Sequence, residues 1–274
     1  VLTSRGLGDV YKRQAQESAK FLFKHRQNKS SINNLPNKLT PKTDHEAYII
    51  QEELKLLYLS LKDNVSIGKK VGCTSLEGQK QLDISEPFYG NLFSRFFAIE
   101  PKVISSKKFS KPFIEPEIAL RIKEDINISK APFSTKDIND LFDGFVCSLE
   151  IVDFRFNKNL KDIGAFNLIA TNGASEFWIR NSEVFSMNRI NFDDHEIKIS
   201  FNNEIVGEGN VNKVMENPLN SGLWLINKIA QKGETLLKGQ FISTGTCTKA
   251  HELPPNTKVS ADFGVLGKIE FNYN

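Results

Sequence analysis

Residues 144–154, GFVCSLEIVDF, set the carboxylate of Glu150 in the middle of a run of mostly apolar residues. Alternate residues of an extended chain point to opposite faces, and Phe145, Val146, Cys147, Leu149, Ile151 and Val152 occupy both, so the segment reads as a strand covered on both sides. An ionised carboxylate in such a place costs roughly several kcal/mol unless a positive group meets it. Glu150 therefore implies a partner: an arginine such as Arg121 or Arg155, a lysine, or a metal ion.

Residues 113–122, FIEPEIALRI, supply two more carboxylates. Strand alternation sends Glu115 and Glu117 to one face and Ile114, Ile118, Leu120 and Ile122 to the other. Taken alone, this is an edge strand with one wet face. Taken with Glu150, it is a three-carboxylate cage for a hard divalent cation, and the lack of histidine in the set argues against zinc. Spacing alone leaves the metal and the ion-pair readings even.

Two further segments carry weaker signals. In IGKKVGCTS (67–75) alternation sends Lys69 and Lys70 to opposite faces, so one faces inward, where it could bind an anion or donate a proton; the competing reading is a pair of snorkelling surface lysines. In STGTCTKA (243–250) a glycine turn with hydroxyls at Ser243, Thr244 and Thr246 can hold a carboxylate through backbone N–H groups, or be an ordinary tight turn. His25, His45, His195 and His251 are scattered and read as surface or helix-end residues. Cys73, Cys147 and Cys247 lack any CxxC pair and read as buried free thiols. There is no P-loop, no GxGxxG opening a helix and no catalytic-triad pattern.

The remaining pattern is α+β. Residues 1–14 show no periodicity and read as a disordered or non-native leader, residues 15–66 as a helical arm, and residues 67–274 as a β-rich body. In the arm, 15–27 reads as a short helix, and Thr43 with Glu46 caps a second one whose stripe is Ala47, Ile50, Leu54, Leu57 and Leu61. From Ile67 short β-type runs follow one another, including a hairpin turning at Asn202-Asn203 and a last hairpin closed by Gly264 to Gly267 between alternating Val259, Ala261, Phe263 and Ile269, Phe271, Tyr273. Helices are expected over 135–143 and from Asn217, as cap, to Gly233. Runs of strands without regular helical crossovers argue for an α+β fold rather than a doubly wound sheet. The net charge of +3, from 36 basic and 33 acidic residues, is spread along the chain, so no nucleic-acid face is expected. No run approaches the length of a membrane span and no secretory signal stands at the start, so a cytoplasmic protein is expected.

Eight segments, GKKVGCTS, LDISEPFYGNLF, IEPEIAL, SLEIVD, NGAS, NPLNSGLWLINKIAQKG, ISTGT and ADFGVLGKIEF, together resemble in order and spacing the 2-keto-4-pentenoate hydratase branch of the fumarylacetoacetate hydrolase superfamily, from about Ala15 to the C-terminus. The resemblance implies a mixed β-roll with an N-terminal helical arm, a Mg2+ or Mn2+ held by Glu115, Glu117 and Glu150, and Lys70 as the motif lysine. It further implies a homo-oligomer acting on small 2-oxo or 2-hydroxydienoic acids from aromatic-ring breakdown, with the cation stabilising charge on the substrate 2-oxygen. Hydration is the expected reaction, decarboxylation the alternative, and a catalytically silent β-roll with its glutamates paired to arginines the reading from another class. Carbon–carbon hydrolysis would need a His and Glu pair near the arm, and His25 and His45 are poorly placed for it.

The family often carries aspartates where this chain has Ser85, Phe88 and Asn172. That leaves Lys70, Glu86 or Ser175 to move protons, or shifts the chemistry toward decarboxylation, isomerisation or another substrate. Phe88, Asn172, Thr244, Gly245 and Thr246 are the expected substrate contacts, with Phe88 and the TCTKA segment setting chain length.

Overall fold

A computed structural model describes residues 4–274. Two long helices open the chain, α1 (Ser4–Gln27) and α2 (Asp44–Leu59). The helix expected from Ala15 thus begins earlier and takes in residues 4–14 of the segment read as a leader; residues 1–3 lie outside the described residues. The α2 cap is as expected, with the Thr43 side chain accepting from the Glu46 N–H at 3.2 Å. Glu46 reaches back one residue further than a capping box requires, accepting from the Lys42 N–H at 2.7 Å.

The body holds two sheets. Strands β1 (Ser66–Gly72), β2 (Phe88–Phe93), β3 (Phe97–Ile99), β4 (Val103–Ile104), β5 (Pro112–Ile122), β6 (Phe142–Asp153) and β7 (Ser175–Arg180) are followed by β8 (Glu196–Phe201), β9 (Glu204–Asn210), β10 (Phe241–Thr246), β11 (His251–Glu252), β12 (Thr257–Asp262) and β13 (Lys268–Tyr273). The larger sheet runs β2-β1-β10-β5-β6-β7-β3, with β11 pairing β5; the smaller runs β4-β13-β12-β8-β9. Both hairpins of the smaller sheet are as read. Asn202 and Asn203 take φ of 52° and 71°, the double left-handed turn that matches strand twist. All six alternating residues of β12 and β13 with their turn are buried.

Short helices fill the connections: α3 (Leu76–Leu82), α4 (Ile138–Leu141), α5 (Leu160–Ile163), α6 (Ala165–Ala170) and α7 (Pro218–Ala230). Asn217 caps α7, its side chain accepting from the Leu219 N–H at 2.9 Å. The helix expected over 135–143 is a 3-10 turn and one α-turn only, because Phe142 is drawn into β6 opposite Ile122, where both side chains are buried. β6 is covered on both faces as its composition requires, only Asp143 being exposed.

At the centre, β1 lies parallel to β10, which brings Lys70 level with Ser243. Gly68 makes this contact possible: its φ is 147°, and a Cβ there would sit 1.9 Å from the Phe241 carbonyl oxygen.

Candidate metal centre and active site

The antiparallel register of β5 and β6 sets Glu115 directly opposite Glu150, and Glu117 opposite Ser148. Directly paired residues share a face, so all three carboxylates converge, one oxygen from each lying within 4.8 Å of the others. Glu117 and Glu150 are fully buried, while Glu115 stands half-buried at the edge of a cavity.

No arginine meets the cluster among the described residues. Arg121 pairs with Asp143 at 2.7 Å, and Arg155 with Glu176 at 2.7 Å and Asp153 at 3.5 Å, which removes the guanidinium-paired reading. The cation present is Lys70, its Nζ 3.0 Å from Glu150 Oε2 and donating to the Gly173 carbonyl at 3.2 Å. Both lysines of the pair are buried, not snorkelling; Lys69 leaves by the other face of β1.

The glycine turn does hold a carboxylate, but the chain's own. Ser243 Oγ donates to Glu117 Oε2 at 2.5 Å and the Gly245 N–H donates to the same atom at 3.2 Å. Glu117 Oε1 and Glu150 Oε1 are buried without any hydrogen-bond partner. Burial, together with Glu150 and Glu115, holds Glu117 well above the usual carboxylate range against the opposing pull of Lys70 and the Ser243 hydrogen bond. Glu115 is raised to about 7, first by burial and then by Glu150, against the opposing pull of Lys70. Burial alone would depress Lys70, yet Glu150, Glu115 and Glu117 together keep its ammonium above the ordinary lysine value.

Three carboxylates against one ammonium leave the ionised site two charges negative. That deficit, the unpaired buried oxygens and an all-oxygen donor set fit a hard divalent cation. A ligating carboxylate must first lose its proton, so cation affinity falls as pH drops below the raised value of Glu115. Calorimetric titration with Mg2+ between about pH 6 and pH 8 is expected to show at least roughly a tenfold weakening per unit at the acid end, at least one proton being displaced per ion bound because Glu115 and Glu117 are both raised. A flat profile would show that the carboxylates are already ionised.

The cavity beside the cluster has a volume of about 540 Å3. Lys70 and Glu115 lie at one side, with Leu82, Phe88, Leu160 and Leu168 among its apolar lining and Thr246 and Lys249 among its polar lining. Phe88 and Thr246, two of the expected substrate contacts, both line this cavity.

Four other expected site residues point elsewhere. Glu86 is exposed and bound to Lys228 at 2.5 Å and the Trp224 N–H at 3.3 Å, both on α7. Ser175 opens β7 beside Arg26 and Glu176, outside the cavity lining. Asn172 spends its side chain on Asn91, and the Thr244 hydroxyl donates to the Ile118 carbonyl at 2.8 Å. Conversely, His251 is half-buried. It sits on β11 and lines the cavity, its Nε2 buried without a partner. Ser243 was visible as a hydroxyl in STGT, but its bond to Glu117 depends on the β5–β10 pairing.

No family model matches the chain. It is 27% identical over 240 residues to "2-keto-4-pentenoate hydratase 1" of Dechloromonas aromatica, covering 87% of this chain and 89% of that one. It is 26% identical over 247 residues to "4-oxalocrotonate decarboxylase" of Pseudomonas putida, covering 88% and 90%. Among solved structures, the 4-oxalocrotonate decarboxylase of Pseudomonas putida G7, complexed with magnesium and adipate, superposes with a TM-score of 0.89 over 96% of this chain and 98% of that one, at 24% identity. A fumarylacetoacetate hydrolase family protein from Yersinia pestis superposes with a TM-score of 0.56 over 77% of this chain. Along nearly its whole length the chain is thus similar to proteins named 2-keto-4-pentenoate hydratase and 4-oxalocrotonate decarboxylase, and it shares the fold of that decarboxylase and, over about three quarters of its length, of a fumarylacetoacetate hydrolase family protein.

Proposed function

We propose that the protein is a divalent-metal-dependent lyase that hydrates a small 2-hydroxydienoic or 2-oxo-enoic acid of aromatic-ring breakdown. The observation that carries this reading is the convergence of Glu115, Glu117, Glu150 and Lys70 beside the cavity, with buried carboxylate oxygens left unpaired. A Mg2+ or Mn2+ held by the three glutamates would polarise the substrate's 2-oxygen and favour negative charge there.

The chain's own groups supply the rest. Lys70 Nζ, held charged at 3.0 Å from Glu150, can bind the substrate carboxylate or deliver a proton to a carbon beside it. Phe88, Leu160 and Leu168 keep water from the substrate's hydrocarbon tail. Thr246 Oγ1 accepts from the Thr248 N–H at 3.3 Å, so its own O–H is free to donate into the cavity. A homo-oligomer in the cytoplasm belongs to the same reading and is tested by light scattering of the purified chain.

Decarboxylation of a 2-oxo-dioic acid at the same centre is the second reading. It is favoured by the position of Glu86 and Asn172: with both engaged elsewhere, Lys70 is left to move protons with few helpers, and loss of CO2 asks for fewer proton transfers than addition of water. The deciding experiment offers 2-hydroxydienoates and 2-oxo-dioates with Mg2+, following dienol absorbance and CO2 separately. Loss of absorbance without CO2 supports hydration, CO2 release reverses the order, and inertness toward every compound ends both readings.

A further inference from the structure

The turn that presents a carbonyl to Lys70 is strained. Asn172, Gly173 and Ala174 take φ of 64°, 64° and 57°, three successive residues in the left-handed region, two of them carrying a Cβ. Such a backbone persists only where its surroundings force it. The force comes from Asn91 on β2. Its backbone N–H and its side-chain amide donate to Asn172 Oδ1 at 2.7 and 3.1 Å, and Asn172 Nδ2 donates back to the Asn91 carbonyl at 2.9 Å. Next to it Gly90 has no Cβ, which would lie 2.4 Å from the Asn172 carbonyl oxygen.

Asn91 is itself fixed from behind. Lys69 Nζ, on the face of β1 opposite Lys70, donates to Asn91 Oδ1 at 2.8 Å and to Glu234 Oε2 at 2.9 Å. Gln51 of α2 ties the same region together, donating to the carbonyls of Tyr89 and Ile169 at 2.8 Å each. Gln51, Lys69, Asn91 and Asn172 are all buried, so the bonds among them and to the backbone are shielded from bulk water, while Glu234 is half-buried at the outer end.

We propose that the chain Glu234–Lys69–Asn91–Asn172, buried from Lys69 onward, is a positioning device that holds the 172–174 turn and, through the Gly173 carbonyl, aims the Lys70 ammonium. The inference rests on Lys70 acting on substrate, as in the function proposed above. Lys69 and Asn91 touch no part of the cavity; they are positioning residues, and adjacent lysines divide the work, one facing the reaction and one facing its support.

The test is Lys69→Met in the full chain. Amide hydrogen exchange at Gly173 and Ser175, whose N–H groups are bonded to the Leu168 and Asn172 carbonyls, is expected to quicken at least about tenfold, while β5 and β6 amides keep their rates. On the substrate found for the wild type, kcat falls on the order of tenfold with KM and Mg2+ affinity within about twofold. In a Lys70→Ala background the same substitution adds no further loss, the non-additivity expected of one device. Asn172→Gly tolerates the left-handed backbone and deletes the brace, so it reports the same losses if Lys69→Met does not fold. Unchanged exchange at the turn, or additive losses in the double variant, overturns the positioning role. A wild type inert to all substrates overturns the proposed function instead, and the exchange rates then decide the positioning role by themselves.

Discussion

Glu150→Gln abolishes divalent-cation binding while leaving the fold intact. Gln has the same shape, and Lys70 keeps Glu115 and Glu117 as neighbours, so the substitution does not strand a buried ammonium. What is lost is one anionic ligand of three at a fully buried position. In the wild type, Mg2+ at about a hundred times its dissociation constant adds about 2.7 kcal/mol of stability by mass action, read as a rise in melting temperature; in the variant that rise vanishes. Turnover disappears with it. A variant that still gains stability from Mg2+ would place the cation elsewhere.

Lys70→Met gives the second large effect. The replacement fills similar space without charge, so the cavity keeps its form while the ammonium 3.0 Å from Glu150 is removed. A positioned proton donor contributes on the order of a hundredfold to ten-thousandfold, and kcat is expected to fall by that amount. Cation affinity moves the opposite way. The ammonium repels a divalent ion, so its loss tightens Mg2+ binding even as turnover collapses, whereas a merely structural lysine would weaken both. Kinetics and calorimetry on one preparation separate the two outcomes.

Alternation is a local property, and what depended on it was legible in the sequence. The shared face of Glu115 and Glu117, the two-sided burial of Glu150, the opposite faces of Lys69 and Lys70 and the inward residues of β12 and β13 all follow from a period of two. Pairing between distant strands is not local. The register that sets Glu115 against Glu150, and the parallel β1–β10 contact that brings up a lysine from among the arginine, lysine and metal partners the sequence left open, join segments far apart in the chain.

The same limit explains the misplaced residues. Glu86 belongs to a loop whose direction is set by Lys228 and Trp224 of α7, and Asn172 to a turn fixed by Asn91. His251 lies on a strand of two residues, too short to leave a pattern, and α3 spans seven residues with a glycine among them. Ser75, whose side chain accepts from the Gly78 N–H at 3.1 Å, was the one local signal for α3.

The most direct test of the metal centre is an anomalous difference map from crystals of the wild-type chain soaked in Mn2+. The account predicts one strong peak bounded by the carboxylate oxygens of Glu115, Glu117 and Glu150, with Lys70 Nζ beside it and not displaced from Gly173. A map without a peak there, with the three carboxylates still gathered around Lys70 alone, would contradict it.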